Sequence, residues 1–111
     1  MSCDPSIQLA NIKEGDSWSG LTHTCSSTGT AFADTLADVT MVFKTPAGVA
    51  GLTLTNDTDI TIDDATAWSF TVEPILEFPL AVGLWLWSIT CTDSAGVIKT
   101  RMSGTKRVTE R

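Results

Sequence analysis

The chain has 111 residues, of which 42% are hydrophobic and 18% charged. That is enough for one domain burying roughly 65% of its unfolded surface without metal or disulfide, and no apolar run approaches the roughly 20 residues of a membrane helix. The net charge of −6 is unevenly spread: five basic residues against Glu110 give +4 over residues 99–111, whereas residues 1–98 hold two Lys against twelve acids and carry −10. An acidic body opposes a phosphate backbone, so neither nucleic acid nor membrane is expected as a partner. The polarity suits contact between copies or docking on another protein.

Met1-Ser2-Cys3-Asp4-Pro5 has no charged segment leading into an apolar one, so no signal peptide is expected and the default compartment is the cytoplasm. Residues 7–12 read as a first short strand, and Lys13-Glu14-Gly15-Asp16 as the turn after it. A mostly polar strand is expected over residues 17–25, with Trp18 on one face and Leu21, His23 and Cys25 on the other, half exposed. Small residues at 26–29 form a loop, and residues 30–36 show no clear period.

Clear alternation begins at residues 39–45, where Val39, Met41 and Phe43 share the inward face. Pro46-Ala47-Gly48 is a turn joining that strand to one over residues 51–55, a hairpin. Asn56-Asp57-Thr58 makes the next turn, residues 59–62 a short strand, and Asp63-Asp64 another turn. Residues 67–73 alternate again, with Trp68, Phe70 and Val72 inward, until Pro74, which cannot donate to a ladder, ends the strand. Residues 75–82, with Pro79 in the middle, cross over into residues 83–92, the central strand, whose odd face carries Trp85, Trp87, Ile89 and Cys91 toward the core. Asp93-Ser94-Ala95-Gly96 is a hairpin turn to a returning strand over 97–103, with Gly104 expected as a bulge or bend before residues 105–109. Eight to nine short strands and no helix predict a single all-β domain over residues 1–111, a two-layer antiparallel immunoglobulin-like sandwich of about eight strands with flexible ends at 1–6 and 109–111.

The residues hold little chemistry. Gly15-Asp16-Ser17 looks like a lipase nucleophile block, but that chemistry needs a base held by an acid, and the one His, His23, has no acidic residue nearby in sequence. Asp57, Asp59, Asp63 and Asp64 lack the glycine and terminal Glu of a calcium loop. Three cysteines without CxxC spacing disfavour zinc. Cys25 and Cys91 sit on the apolar faces of their strands, and buried thiols are favoured over a disulfide. Asn56-Asp57-Thr58 is a glycosylation sequon in form only. No enzyme, cofactor or metal is expected. Of the four tryptophans, three lie on faces read as core, leaving Trp18 as the one to expect at an interface, together with the basic Lys99, Arg101, Lys106 and Arg107.

Several of these stretches resemble one family. The turn at Gly15-Asp16, the approach from Asp34 through Lys44 followed by Pro46-Ala47-Gly48, and Trp68-Ser69-Phe70 fall in its order. So does the run Pro79-Leu80-Ala81-Val82-Gly83-Leu84-Trp85-Leu86-Trp87-Ser88-Ile89, and Asp93-Ser94-Ala95-Gly96 before a basic strand. Together they resemble the small immunoglobulin-like domain of tailed bacteriophages, found at the N-terminus of upper baseplate proteins and as stand-alone tail or virion proteins. The resemblance implies a non-enzymatic structural or adaptor protein of a phage or prophage particle, assembled in the bacterial cytoplasm. It would act through contacts with other virion proteins or as a homo-oligomer. The alternative is a small ligand-binding module, most plausibly for carbohydrate, which an exposed pair of aromatics beside amide or carboxylate groups would favour.

Overall fold

Strands form where alternation is strongest and reverse at the turns rich in Gly, Pro and Asp. The computed structural model describes residues 9, 11–24 and 34–110, with backbone alone at 99–101. In chain order the strands are β1 (Ile12–Lys13), β2 (Leu21–Thr24), β3 (Leu36–Lys44), β4 (Ala50–Thr55), β5 (Ile60–Asp64), β6 (Ser69–Val72), β7 (Gly83–Asp93) and β8 (Ile98–Thr109). They make two sheets, β1-β8-β7-β3-β4 and β2-β6-β5, in an all-β, β-sandwich-like fold. All pairs are antiparallel except β1 with β8, where Ile12 lies opposite Val108. No helix among the described residues is long and apolar enough to cross a membrane.

The core lies where the inward faces meet. β3 contributes Val39, Met41 and Phe43, β6 Phe70 and Val72, and β7 Trp87, Ile89 and Cys91, all buried, with Trp85 packed at the margin. A Val or Phe side chain taken fully out of water contributes about 1.5–3 kcal/mol, so these faces, and not the short turns, supply most of the stabilisation. On β3, β6 and β7 the residues named inward from alternation are the ones that face inward.

Several boundaries differ from the expected ones. The expected strand over 17–25 is broken: Trp18 makes an isolated antiparallel bridge to Ile75, and Gly20 turns the backbone at φ 74° before β2 begins. A Cβ at Gly20 would lie 2.1 Å from the Val72 carbonyl oxygen, so the close approach of β2 to β6 requires glycine. Asp63 and Asp64, read as a turn, end β5 instead, and the reversal follows them, with the Asp64 carboxylate accepting from the Thr66 and Ala67 amides at 3.1 Å. Trp68 closes that turn at φ 58°, a left-handed conformation rare for a bulky side chain. It is held there by complete burial and by its indole N–H, which donates to the Asp34 carbonyl at 2.9 Å. Gly104 is no bulge: β8 runs unbroken from Ile98 to Thr109, and the irregularity between β7 and β8 falls at Cys91–Thr92. Of the first strand expected over 7–12, residues 7, 8 and 10 lie outside the described residues, Leu9 and Asn11 are not in a strand, and β1 begins at Ile12 and takes in Lys13, expected in the turn.

Candidate functional site

Because side chains alternate along a strand, the same registers that fill the core also fix what each sheet shows to solvent. On β7 the outward residues are Leu84, Leu86, Ser88, Thr90 and Thr92, and Leu84 and Leu86 are 40% and 38% exposed. β3 sets Lys44 opposite Leu86 and Val42 opposite Ser88; β8 sets Arg107 opposite Leu84 and Thr105 opposite Leu86. The outer face of the five-stranded sheet is therefore a pair of leucines flanked on either strand by an exposed cation. Between Lys44 and Thr105, over Leu86 and Ser88, it dips into a shallow hollow of about 390 Å³.

The three-stranded sheet presents the opposite chemistry. Its outward residues are mostly hydroxyls joined across the strands: the Thr24 hydroxyl donates to Ser69 at 3.0 Å, and Thr22 and Thr71 lie 3.1 Å apart. Thr71 donates its proton to the Asp63 carboxylate at 2.5 Å, so Thr22 is the donor to Thr71. Thr61 donates to Glu73 at 2.7 Å. Asp57, Asp59 and Asp64 stand at the turns bordering β5. Residues 45–98 contain no Lys, Arg or His at all, so nothing from that stretch neutralises these acids.

Placement of the residues singled out from sequence is mixed. Trp18 is a core residue, 1% exposed, in an edge-to-face cluster with Phe43 and Phe78 at centroid distances of 6.4 and 5.6 Å. Its strand is polar, but the chain at residues 75–78 covers it: Trp18 and Ile75 exchange backbone hydrogen bonds of 2.7 and 2.9 Å, and the Phe78 amide donates to Asp16. Lys106 is half-buried on the inward side, its ammonium donating to the Leu9 carbonyl at 2.9 Å, whereas Arg107, its neighbour, is exposed. Lys99 and Arg101 belong to β8, with side chains outside the described residues. Lys44, Leu84 and Leu86 were not singled out; the even face of the central strand carried the signal, had it been weighed as surface.

The remaining groups have structural partners. His23 lies half-buried against Phe70 at 5.8 Å. The Asn56 side-chain oxygen accepts from the Val39 amide at 3.1 Å, so this amide is tied to β3. Ser17 follows a turn in which its amide donates to the Asp16 carboxylate. Cys91 is a free, buried thiol, and burial pushes it up to about 12; Cys25 and Cys3 lie outside the described residues. Trp18, Trp68 and Trp87 are buried, and Trp85 is half-buried with its N–H donating to the Ala81 carbonyl, so the described residues include no exposed aromatic pair. No group of three or more His, Cys, Asp or Glu among them is arranged to hold a metal ion.

Comparison with family models, curated proteins and solved structures finds no match to this chain. The described residues thus present two outer faces on opposite sheets, one centred on Leu84 and Leu86 with Lys44 and Arg107, the other carrying Asp63 and Glu73. They offer surface for protein contact.

Proposed function

We propose that this chain is a non-enzymatic structural or adaptor protein of a bacteriophage or prophage particle, tail or baseplate associated, acting through protein contacts on an immunoglobulin-like sandwich. The observation that carries the reading is the strand order. The second, sixth and fifth strands form one sheet and the eighth, seventh, third and fourth the other, the same division as the B, E and D strands against G, F, C and C′ of immunoglobulin variable domains. The first strand pairs in parallel with the last.

The stretches that resemble the phage family fall at strand boundaries. Pro46-Ala47-Gly48 joins β3 to β4, Trp68-Ser69-Phe70 opens β6, Gly83 begins β7, and Asp93-Ser94-Ala95-Gly96 turns β7 into β8. Burial holds the Cys91 thiol protonated, and the Thr71 hydroxyl donates to Asp63. A protein with its hydroxyls in ladders, and with Lys44 and Arg107 on the sheet face turned away from Asp63 and Glu73, is suited to being held by neighbours.

The test is direct. Particles induced from the bacterium that carries the gene are purified and their proteins identified by mass spectrometry, with immunogold labelling locating the chain. Labelling of the tail or baseplate supports the reading. Intact particles that form normally without the gene and never contain the chain overturn it.

A further inference from the structure

We infer that copies of this chain associate head to tail, the outer face of the five-stranded sheet of one against the outer face of the three-stranded sheet of the next. This deepens the protein-contact reading above by naming the partner as a second copy and the two faces that meet.

The argument begins with sign. The outward residues Lys44 and Arg107 are exposed cations on strands either side of Leu84 and Leu86, and the small sheet's outer side carries Asp63 and Glu73 with the bordering turn acids. Exposed Asp38 lies on the first of these faces too, but opposite Thr92 at the far end of β3 from Lys44, so a two-fold contact centred on the leucines, or one of the small sheet's outer side with itself, would set like charges together, which is unfavourable, whereas the unlike faces attract. The two surfaces belong to opposite sheets of the same chain, so every copy that offers one still has the other free, and association of this kind continues into a ring or a row. The hydroxyls on both faces tolerate burial because they can donate and accept with each other. The two leucines add apolar area at the centre, while the charges sit beside them.

Size sets the strength. Three strands about 4.8 Å apart and about five residues long, at about 3.4 Å per residue, present a footprint of only about 240 Å². A stable pairwise interface needs about 800 Å² per partner. The contact is therefore weak between two isolated copies and depends on salt, since the charges are exposed and the screening length falls from about 30 Å at 0.01 M to about 3 Å at 1 M.

The experiment is sedimentation velocity of the whole chain from micromolar to about 1 mM protein at low and at high salt. Two charge-reversed variants accompany it, Lys44→Glu with Arg107→Glu, and Asp63→Lys with Glu73→Lys, each checked for an unchanged circular dichroism spectrum. The expected result is concentration-dependent association at low salt, lost at high salt and weakened about tenfold or more in each variant alone. It returns when the two variants are mixed, because each then offers the other an intact opposite face. A wild-type chain that stays monomeric at low salt overturns the proposal, as does association that survives both reversals or fails to return on mixing. Either failure leaves the particle reading to its own test, which depends on the composition of purified particles and not on self-association.

Discussion

Trp87 and Gly104 face each other across β7 and β8, and the indole occupies the place where a side chain at 104 would stand: a Cβ there would come within 2.9 Å of the ring carbon Cζ2. The glycine is thus a slot for the ring. Gly104→Ala should force Trp87 from its place in the core and cost about 1–3 kcal/mol, the usual penalty of overpacking. Urea denaturation would show a lower midpoint with an unchanged slope; a variant as stable as wild type would mean that the ring slides without cost.

Gly20→Ala should be worse. The residue combines φ 74° with a carbonyl oxygen 2.1 Å from the would-be Cβ, and backbone cannot swing aside as a side chain can. Loss of about 3 kcal/mol or more, seen as a collapse of soluble yield or of the thermal midpoint, is expected. A change below about 0.5 kcal/mol would contradict the pairing of β2 with β6 as described.

Asp93 is buried at the end of β7, and one carboxylate oxygen accepts from the Ala95 and Val97 amides at 3.0 and 2.9 Å, closing the turn into β8. Asp93→Ala leaves both amides without that acceptor and should cost about 1–3 kcal/mol. Asp93→Asn keeps an acceptor oxygen and should retain most of the stability. Equal losses in the two variants, measured by thermal unfolding, would show that charge and not the turn hydrogen bonds is what matters.

Cys91 makes stability fall at high pH. Burial between the sheets raises the thiol from its ordinary value of 9.0 to about 12, so between those values the unfolded chain releases a proton that the native chain keeps. The native state is then the one with more bound protons, and the contribution, complete below pH 9, shrinks by about 1.4 kcal/mol per pH unit above it. Denaturant titrations at pH 8 and pH 10 should show the loss in wild type and a smaller one in Cys91→Ala. At pH 8 the native thiol should also resist alkylation until denaturant is added; rapid labelling of Cys91 in the native protein would refute its burial.

Much of the fold was legible in the residues themselves. Val39-Met41-Phe43, Phe70-Val72 and Trp87-Ile89-Cys91 point inward because alternation is a property of neighbouring residues, fixed by the pleat of a single strand. The turns at Pro46-Ala47-Gly48 and Asp93-Ser94-Ala95-Gly96 were readable for the same local reason. What covers a strand is not local. Trp18 sits on a polar segment and is buried because residues 75–78 come back across it, Lys106 turns inward because the Leu9 carbonyl, 97 positions earlier, lies within reach of its ammonium, and Gly104 is a slot because Trp87 is its cross-strand partner. The same holds for the candidate site: the acids and cations could be counted from the sequence, but only the register of β3 and β8 against β7, and of β5 against β6, puts Lys44 and Arg107 on one outer face and Asp63 on the other. Pairing between distant segments depends on the packing of the whole core, and a period of two within one strand carries no information about which strand lies beside it.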